Sequence, residues 1–216
     1  MRTGIYGGTF DPIHIAHLRM AVEVRELFAL DKVLLIPCHY PPHKAGQPGA
    51  SAKDRLAMVE LAVENTPGLE SSDMEVRQGG TSYTVTTLEA LKGPEQENFF
   101  ILGLDAFLEI HTWKNYENLF SLAHFVVLSR PWNQARAELF HMEQFVRNRL
   151  SHLVDPVSCD GKFAVKHTGN HLFFAQTTAM DISATRIRET VAMGKSIDFL
   201  VPATIENYIR KAGLYI

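Results

Sequence analysis

Two cysteines in 216 residues, Cys38 and Cys159, lie far apart and share no CxxC spacing. That excludes a disulfide framework or a zinc ribbon and leaves buried or incidental thiols as the expectation. No apolar run approaches the roughly 18 residues of a membrane span, and the opening MRTGIYGG lacks the apolar core of a secretory signal. A cytoplasmic protein with no membrane partner is expected. Cationic excess is missing too. A net charge of -3 gives no basic footprint, which disfavours nucleic acid as a partner while leaving room for a local cationic pocket around a phosphorylated small molecule. The glycines near the N-terminus fit neither GxGxxG nor GxxxxGK[ST], so dinucleotide and Walker-type phosphate loops are disfavoured. Nothing in the sequence specifies an oligomeric state.

What is present is an ordinary globular composition, 46% hydrophobic, in a chain long enough for one substantial core. A single domain over 1–216 is expected. Thr3 to Tyr6 reads as a strand, followed by a Gly7-Gly8 turn and a helix from His14 to Phe28. Residues 32–36, KVLLI, form a buried strand stopped by Pro37. The Pro- and Gly-rich stretch 38–50 predicts a surface loop, and Ser51 caps a helix running to Asn65. A further helix is expected over 83–92, with buried strands at 99–102 (FFIL) and 125–129 (FVVLS). Residues 132–176 are less regular: a helix over 138–150, then short strands at 163–165 and 172–175. C-terminal helices, 183–193 and 203–212, end at Gly194 and Gly213. Strands alternating with helices, their apolar runs lacking strict alternation, indicate an α/β fold. Its expected form is a Rossmann-like doubly wound parallel sheet with a small C-terminal helical region.

In such a sheet a nucleotide binds beyond the carboxyl ends of the strands, where Gly7 and Gly8 fall. Their missing side chains let backbone N–H groups approach phosphate. Asp11-Pro12 shapes the approach, and the next helix directs its positive end at the anion. His14 and His17, three apart, share a face at that helix start and can donate to a leaving pyrophosphate. Such a pair can also be structural or ligate metal, but no third ligand stands at a telling spacing, since His39 and His43 lie in the Pro-rich loop. Late in the chain, Ser183 reads as an N-cap, with Thr185 and Arg188 on one helical face, a second candidate anion site. By itself a Ser cap followed by arginines is usually a solvated helix start.

GGTFDPIHIAH at 7–17 followed by ISATRIR at 182–188 resembles the nucleotidyltransferase superfamily with HxGH and ISxTxxR motifs. Within it the chain is similar to the bacterial nicotinate-nucleotide adenylyltransferase family. PPHK at 41–44, SYTVTTL at 82–88, ILGLDAF at 101–107, TWKNYE at 112–117, SRP at 129–131 and the closing LVPATIENYIRKAGLY match in order. The resemblance implies an enzyme that joins ATP and nicotinate mononucleotide to give nicotinate adenine dinucleotide and pyrophosphate. It implies that Gly7, Gly8, Thr9, Phe10 and Gly103 meet ATP, that His14 and His17 hold its phosphates, and that Ser183, Thr185 and Arg188 close over the triphosphate. Lys44 and Arg130 would bind phosphate. Asp105 would contact nucleotide hydroxyls or the acceptor, Trp113 would stack on the pyridine ring, and backbone near Tyr83 and Thr84 would meet the carboxylate. Magnesium (Mg2+) would arrive with ATP, held by phosphate oxygens and water. The chain departs from the motifs at Ala16, where Gly is usual, and at His39, where Asn is common. Competing readings are another acceptor (nicotinamide mononucleotide or phosphopantetheine), a nucleotide-sensing module without turnover, and a class I aminoacyl-tRNA synthetase relative. The last lacks a KMSKS-like loop here.

Overall fold

The computed structural model describes residues 1–42, 49–129, 135–155 and 161–216. From the N-terminus, β1 (Arg2–Gly8) leads to α1 (Ile15–Leu27) and β2 (Lys32–Pro37). Then come α2 (Ala52–Val63), β3 (Leu69–Ser71), α3 (Met74–Gln78), α4 (Thr84–Ala90) and β4 (Glu97–Gly103). α5 (Leu104–Leu108), α6 (Tyr116–Leu122), β5 (His124–Ser129) and α7 (Ala135–Phe145) follow. The chain closes with β6 (Lys162–Ala164), β7 (His171–Gln176), α8 (Ala184–Ala192) and α9 (Ala203–Ala212).

Among the described residues the strands form one sheet in the order β3-β2-β1-β4-β5-β7-β6. Every pairing is parallel except that of β6 with β7. The strand period of two sends alternate residues to opposite faces. Val33, Leu35, Phe99, Ile101, Val126 and Leu128 pack with α1, α2, α8 and α9. Their neighbours Leu34, Ile36, Phe100, Leu102, Phe125 and Val127 pack with α4 to α7. Both faces are therefore covered, which is why the strands carry unbroken apolar runs, and the expected doubly wound α/β fold is the observed one.

The caps read from sequence hold: the Ser51 hydroxyl accepts from the Asp54 N–H, and the Ser183 hydroxyl from the Arg186 N–H. The described parts of the less regular stretch carry the helix and the two short strands expected there. Within its described parts α7 continues into a π-helical turn over Val146–Leu150, and β7 joins the sheet beside β5. One expectation needs correction. Gly7 and Gly8 are not a turn but the last residues of β1, in register with Ile36 and Pro37. The ladder to β2 extends the strand through them, and the chain turns only afterwards.

Gly4 shows how tightly the sheet centre is packed. A Cβ there would meet Val33 Cγ2 at 2.9 Å, Leu30 Cδ1 at 3.0 Å and Ile101 Cδ1 at 3.1 Å. Gly4→Ala is expected to destabilise the fold by roughly 1–3 kcal/mol through overpacking, measured as a shift in the urea unfolding midpoint; an unchanged midpoint would show that these side chains yield freely.

Candidate active site

Beyond the carboxyl ends of the central strands lies a cavity of about 880 Å³. The turn after β1 supplies Thr9, Phe10 and Asp11, the start of α1 supplies His14, Ala16 and His17, and β4 ends in it at Gly103. From the far end of the chain come Ser183, Thr185 and Arg188 at the start of α8. Two helix starts thus point their positive ends into one space, a favourable setting for a polyanion.

Phe10 has a left-handed backbone, φ 47°, and lies buried. Its ring folds back on Gly8, where a Cβ would lie 3.0 Å from the ring, so a side chain at that position would press the ring away. That ring meets the His17 imidazole edge-on at 5.1 Å, while His14 stacks on His17 with centroids 3.6 Å apart. The His14 N–H donates to His17 Nδ1 at 3.3 Å. An accepting Nδ1 leaves the proton of the neutral imidazole on Nε2. His14, as the N-cap of α1, and His17 are thus fixed as a pair, as their spacing suggested.

Asp11 joins the two motifs. Its carboxylate, buried, accepts the Gly49 N–H at 2.7 Å, the Ala50 N–H at 3.0 Å and the Tyr215 hydroxyl at 2.8 Å. Arg188, 177 residues away in sequence, donates to the Asp11 carbonyl at 2.7 Å, approaches its carboxylate at 3.7 Å, and donates to Thr185 Oγ1 at 3.3 Å. A second knot lies beneath. Arg55, fully buried on α2, donates to the carbonyls of Thr9 (2.8 Å), Cys38 (2.7 Å), His39 (2.9 Å) and Ala50 (3.3 Å). Cys38 is a buried free thiol, as expected, and burial pushes its pKa up. Cys159 lies outside the described residues.

The residues implied for the acceptor fall elsewhere. Tyr83, Thr84, Asp105 and Trp113 are not among the described residues lining the cavity. Tyr83 is the N-cap of α4 and Trp113 ends the 3-10 turn Ile110–Thr112, both packed on the α4 to α7 side of the sheet. The Lys114 ammonium, 4.3 Å over the Tyr83 ring, joins the two places. Asp105 is exposed in the first turn of α5. Gly7 does not line the cavity either. Lys44 and Arg130 lie outside the described residues, as does His43. His39 carries the link between the loop after β2 and the approach to α4: its N–H donates to Ser82 Oγ and its Nδ1 lies 3.0 Å from the Gly80 carbonyl.

Sequence reasoning missed Arg55, Tyr215, the bonding role of Asp11, and the wall formed by Met20, Leu128, Ser129 and the segment Thr177 to Asp181. The wall was within reach, since 177–181 follows the strand expected at 172–175 and the crevice lies beyond strand ends. Thr178 is anchored by the Glu23 carboxylate, which accepts both its N–H and its hydroxyl. Burial opposes charge on Glu23, yet these donors and Arg19 hold it below the usual carboxylate range.

Two helix starts bearing histidine and arginine side chains, facing one cavity at the end of a parallel sheet, are the arrangement of a nucleotidyltransferase, and the cytidylyltransferase-like family profile matches residues 5–190. A protein of Desulfatibacillum aliphaticivorans is 65% identical over 216 residues, covering all of both chains. One of Trichlorobacter lovleyi is 42% identical over all of this chain and 99% of its own. Each is described as a probable nicotinate-nucleotide adenylyltransferase. The solved structure of Plasmodium falciparum nicotinic acid mononucleotide adenylyltransferase complexed with NaAD superposes with a TM-score of 0.71 at 19% identity, covering 99% of this chain and 97% of that one. This chain belongs to the nicotinate-nucleotide adenylyltransferase family.

Proposed function

We propose that this chain, acting as one nucleotidyltransferase unit over residues 1–216 in the cytoplasm, joins MgATP and nicotinate mononucleotide to give nicotinate adenine dinucleotide and pyrophosphate. The observation that carries the reading is the Arg188 to Asp11 contact, which sets the ISATRIR helix against the GGTFDPIHIAH turn around one cavity.

The acceptor phosphate, anionic at neutral pH, attacks the α-phosphorus of ATP in line. A new phosphoanhydride bond forms as the bond from the α-phosphorus to the β-bridging oxygen breaks, and pyrophosphate leaves with those electrons. No proton need be removed from the nucleophile, so positioning and charge neutralisation carry the catalysis. His14, His17 and Arg188 serve the leaving pyrophosphate. Thr9, Phe10, Ser183 and Thr185 line its bed, and Met20, Leu128 and Met180 offer the base an apolar wall. Gly103 lies in the same cavity, and Gly7, Gly8 and Asp105, which do not line it, are given to the nucleotide side by the family resemblance alone. Tyr83, Thr84, Asp105 and Trp113, with Lys44 and Arg130, serve the acceptor.

Magnesium enters as part of the substrate. Among the described residues the cavity's carboxylates are Asp11, whose oxygens already accept three hydrogen bonds, and Asp181. Such a donor set suits an ion held by triphosphate oxygens and water.

Pyrophosphate release at equal ATP is expected to be faster with nicotinate mononucleotide than with nicotinamide mononucleotide or phosphopantetheine. Preference for the amide would overturn the acceptor assignment. ATP binding without pyrophosphate release with any acceptor would point instead to a nucleotide-sensing module.

A further inference from the structure

The closing LVPATIENYIRKAGLY matches the family pattern up to Tyr215, and the reaction above gives that residue no task. Tyr215 lies one residue from the C-terminus, outside the cavity lining, yet its hydroxyl reaches Asp11 Oδ1 at 2.8 Å across 204 residues of sequence. Its ring and the Arg188 stem both close on the space a side chain at Gly49 would fill: a Cβ there would lie 3.1 Å from each. The Gly49 N–H in turn donates to Asp11 Oδ2.

We propose that Tyr215 is a positioning residue for Arg188, acting through Asp11. The carboxylate of Asp11 is buried and needs donors. Tyr215 and the two backbone N–H groups of Gly49 and Ala50 supply them. Arg188 therefore stays 3.7 Å from that carboxylate, bonded instead to the main-chain carbonyl of Asp11, with its guanidinium available to the cavity. Without the phenol, Oδ1 keeps only the Ala50 N–H. The guanidinium is the nearest mobile donor, and it closes on Asp11 and withdraws from the triphosphate. Burial and the Asp11 charge raise the phenol's pKa, so the hydroxyl remains a donor throughout the neutral range.

The proposal rests on the reading of Arg188 as an ATP-binding residue, and a double-mutant cycle separates the two. MgATP alone is titrated by calorimetry into the wild type, Tyr215→Phe, Arg188→Ala and the double variant, each below its own unfolding midpoint. Tyr215→Phe keeps the ring against Gly49 and is expected to weaken ATP roughly fivefold in the wild-type background and not at all in the Arg188→Ala background, a coupling of ordinary size for residues sharing a network. Removal of residues 215 and 216, a second variant, is expected to show the same dependence on Arg188. An equal loss in both backgrounds, or no loss in the first, overturns the positioning role. An Arg188→Ala chain that binds ATP as tightly as the wild type overturns the underlying assignment of Arg188.

Discussion

His17→Ala is expected to lower turnover about a hundredfold while leaving the fold intact, the scale on which loss of one transition-state donor is felt. The imidazole is held on three sides: by the stacked His14 ring, by the Phe10 edge, and by the His14 N–H on Nδ1. Its orientation is set before substrate arrives, so Nε2–H needs no reorganisation as charge builds on the departing pyrophosphate. Alanine is a good helix former, and His17 is only half-buried in the first turns of α1, so the truncation removes a donor rather than a core contact. Pyrophosphate release under saturating substrates, with far-ultraviolet circular dichroism as the control for folding, measures the effect. A folded His17→Ala chain that releases pyrophosphate at the wild-type rate would remove His17 from the chemistry.

Arg55→Met is expected to cause the largest loss of stability. Methionine keeps the length and much of the apolar stem, but it silences the donors that now serve four carbonyls, those of Thr9, Cys38, His39 and Ala50. Each buried acceptor left unsatisfied costs about 1–3 kcal/mol, so even with partial relaxation the loss is roughly 3 kcal/mol or more. At roughly 2–4 °C per kcal/mol for a chain of this size, the thermal midpoint falls by about 6–12 °C. Arg55→Lys recovers only part of this, because an ammonium cannot reproduce a planar fork of donors. A thermal midpoint within about 2 °C of the wild type would show that the loops after β1 and β2 hold their shape without the guanidinium. Activity should fall too, since Thr9 lies in the cavity wall and His39 leads towards the acceptor side.

Much of the architecture was written locally. FFIL and FVVLS are apolar on both faces and gave β4 and β5, while Ser51 and Ser183 marked helix starts because a hydroxyl there meets an otherwise unpaired N–H. β3 escaped notice because LES is three residues of mixed character whose strand state comes from pairing with β2. The short helices α3, α5 and α6 carry too few turns for a periodic signal. Gly7-Gly8 misled for a related reason: glycine pairs punctuate chains in general, but here the ladder to β2 outweighs that tendency. The candidate site was partly legible. The spacing of His14 and His17 placed them on one face at the helix start, where their rings stack, and Ser183, Thr185 and Arg188 do share a cavity with them. Arg55 could not be read, since an arginine on an amphipathic helix belongs by default in solvent.

The sequence by itself determined the order of the longer strands and helices, the covering of both sheet faces and the two motifs that meet at the nucleotide side. Periodicity and capping act over a few residues, so they can be read where they stand. Only the tertiary structure decided that Asp11 is the meeting point of Arg188, Tyr215 and the Gly49-Ala50 backbone, and that Arg55 lies beneath it. Those bonds join residues as far as 204 positions apart, and their existence depends on where the assembled sheet brings chain segments together. It also decided that the histidine pair and the Tyr83 and Trp113 residues occupy opposite sides of the sheet ends. Successive β–α units set those positions by winding onto one face or the other, a choice that no local stretch of sequence encodes.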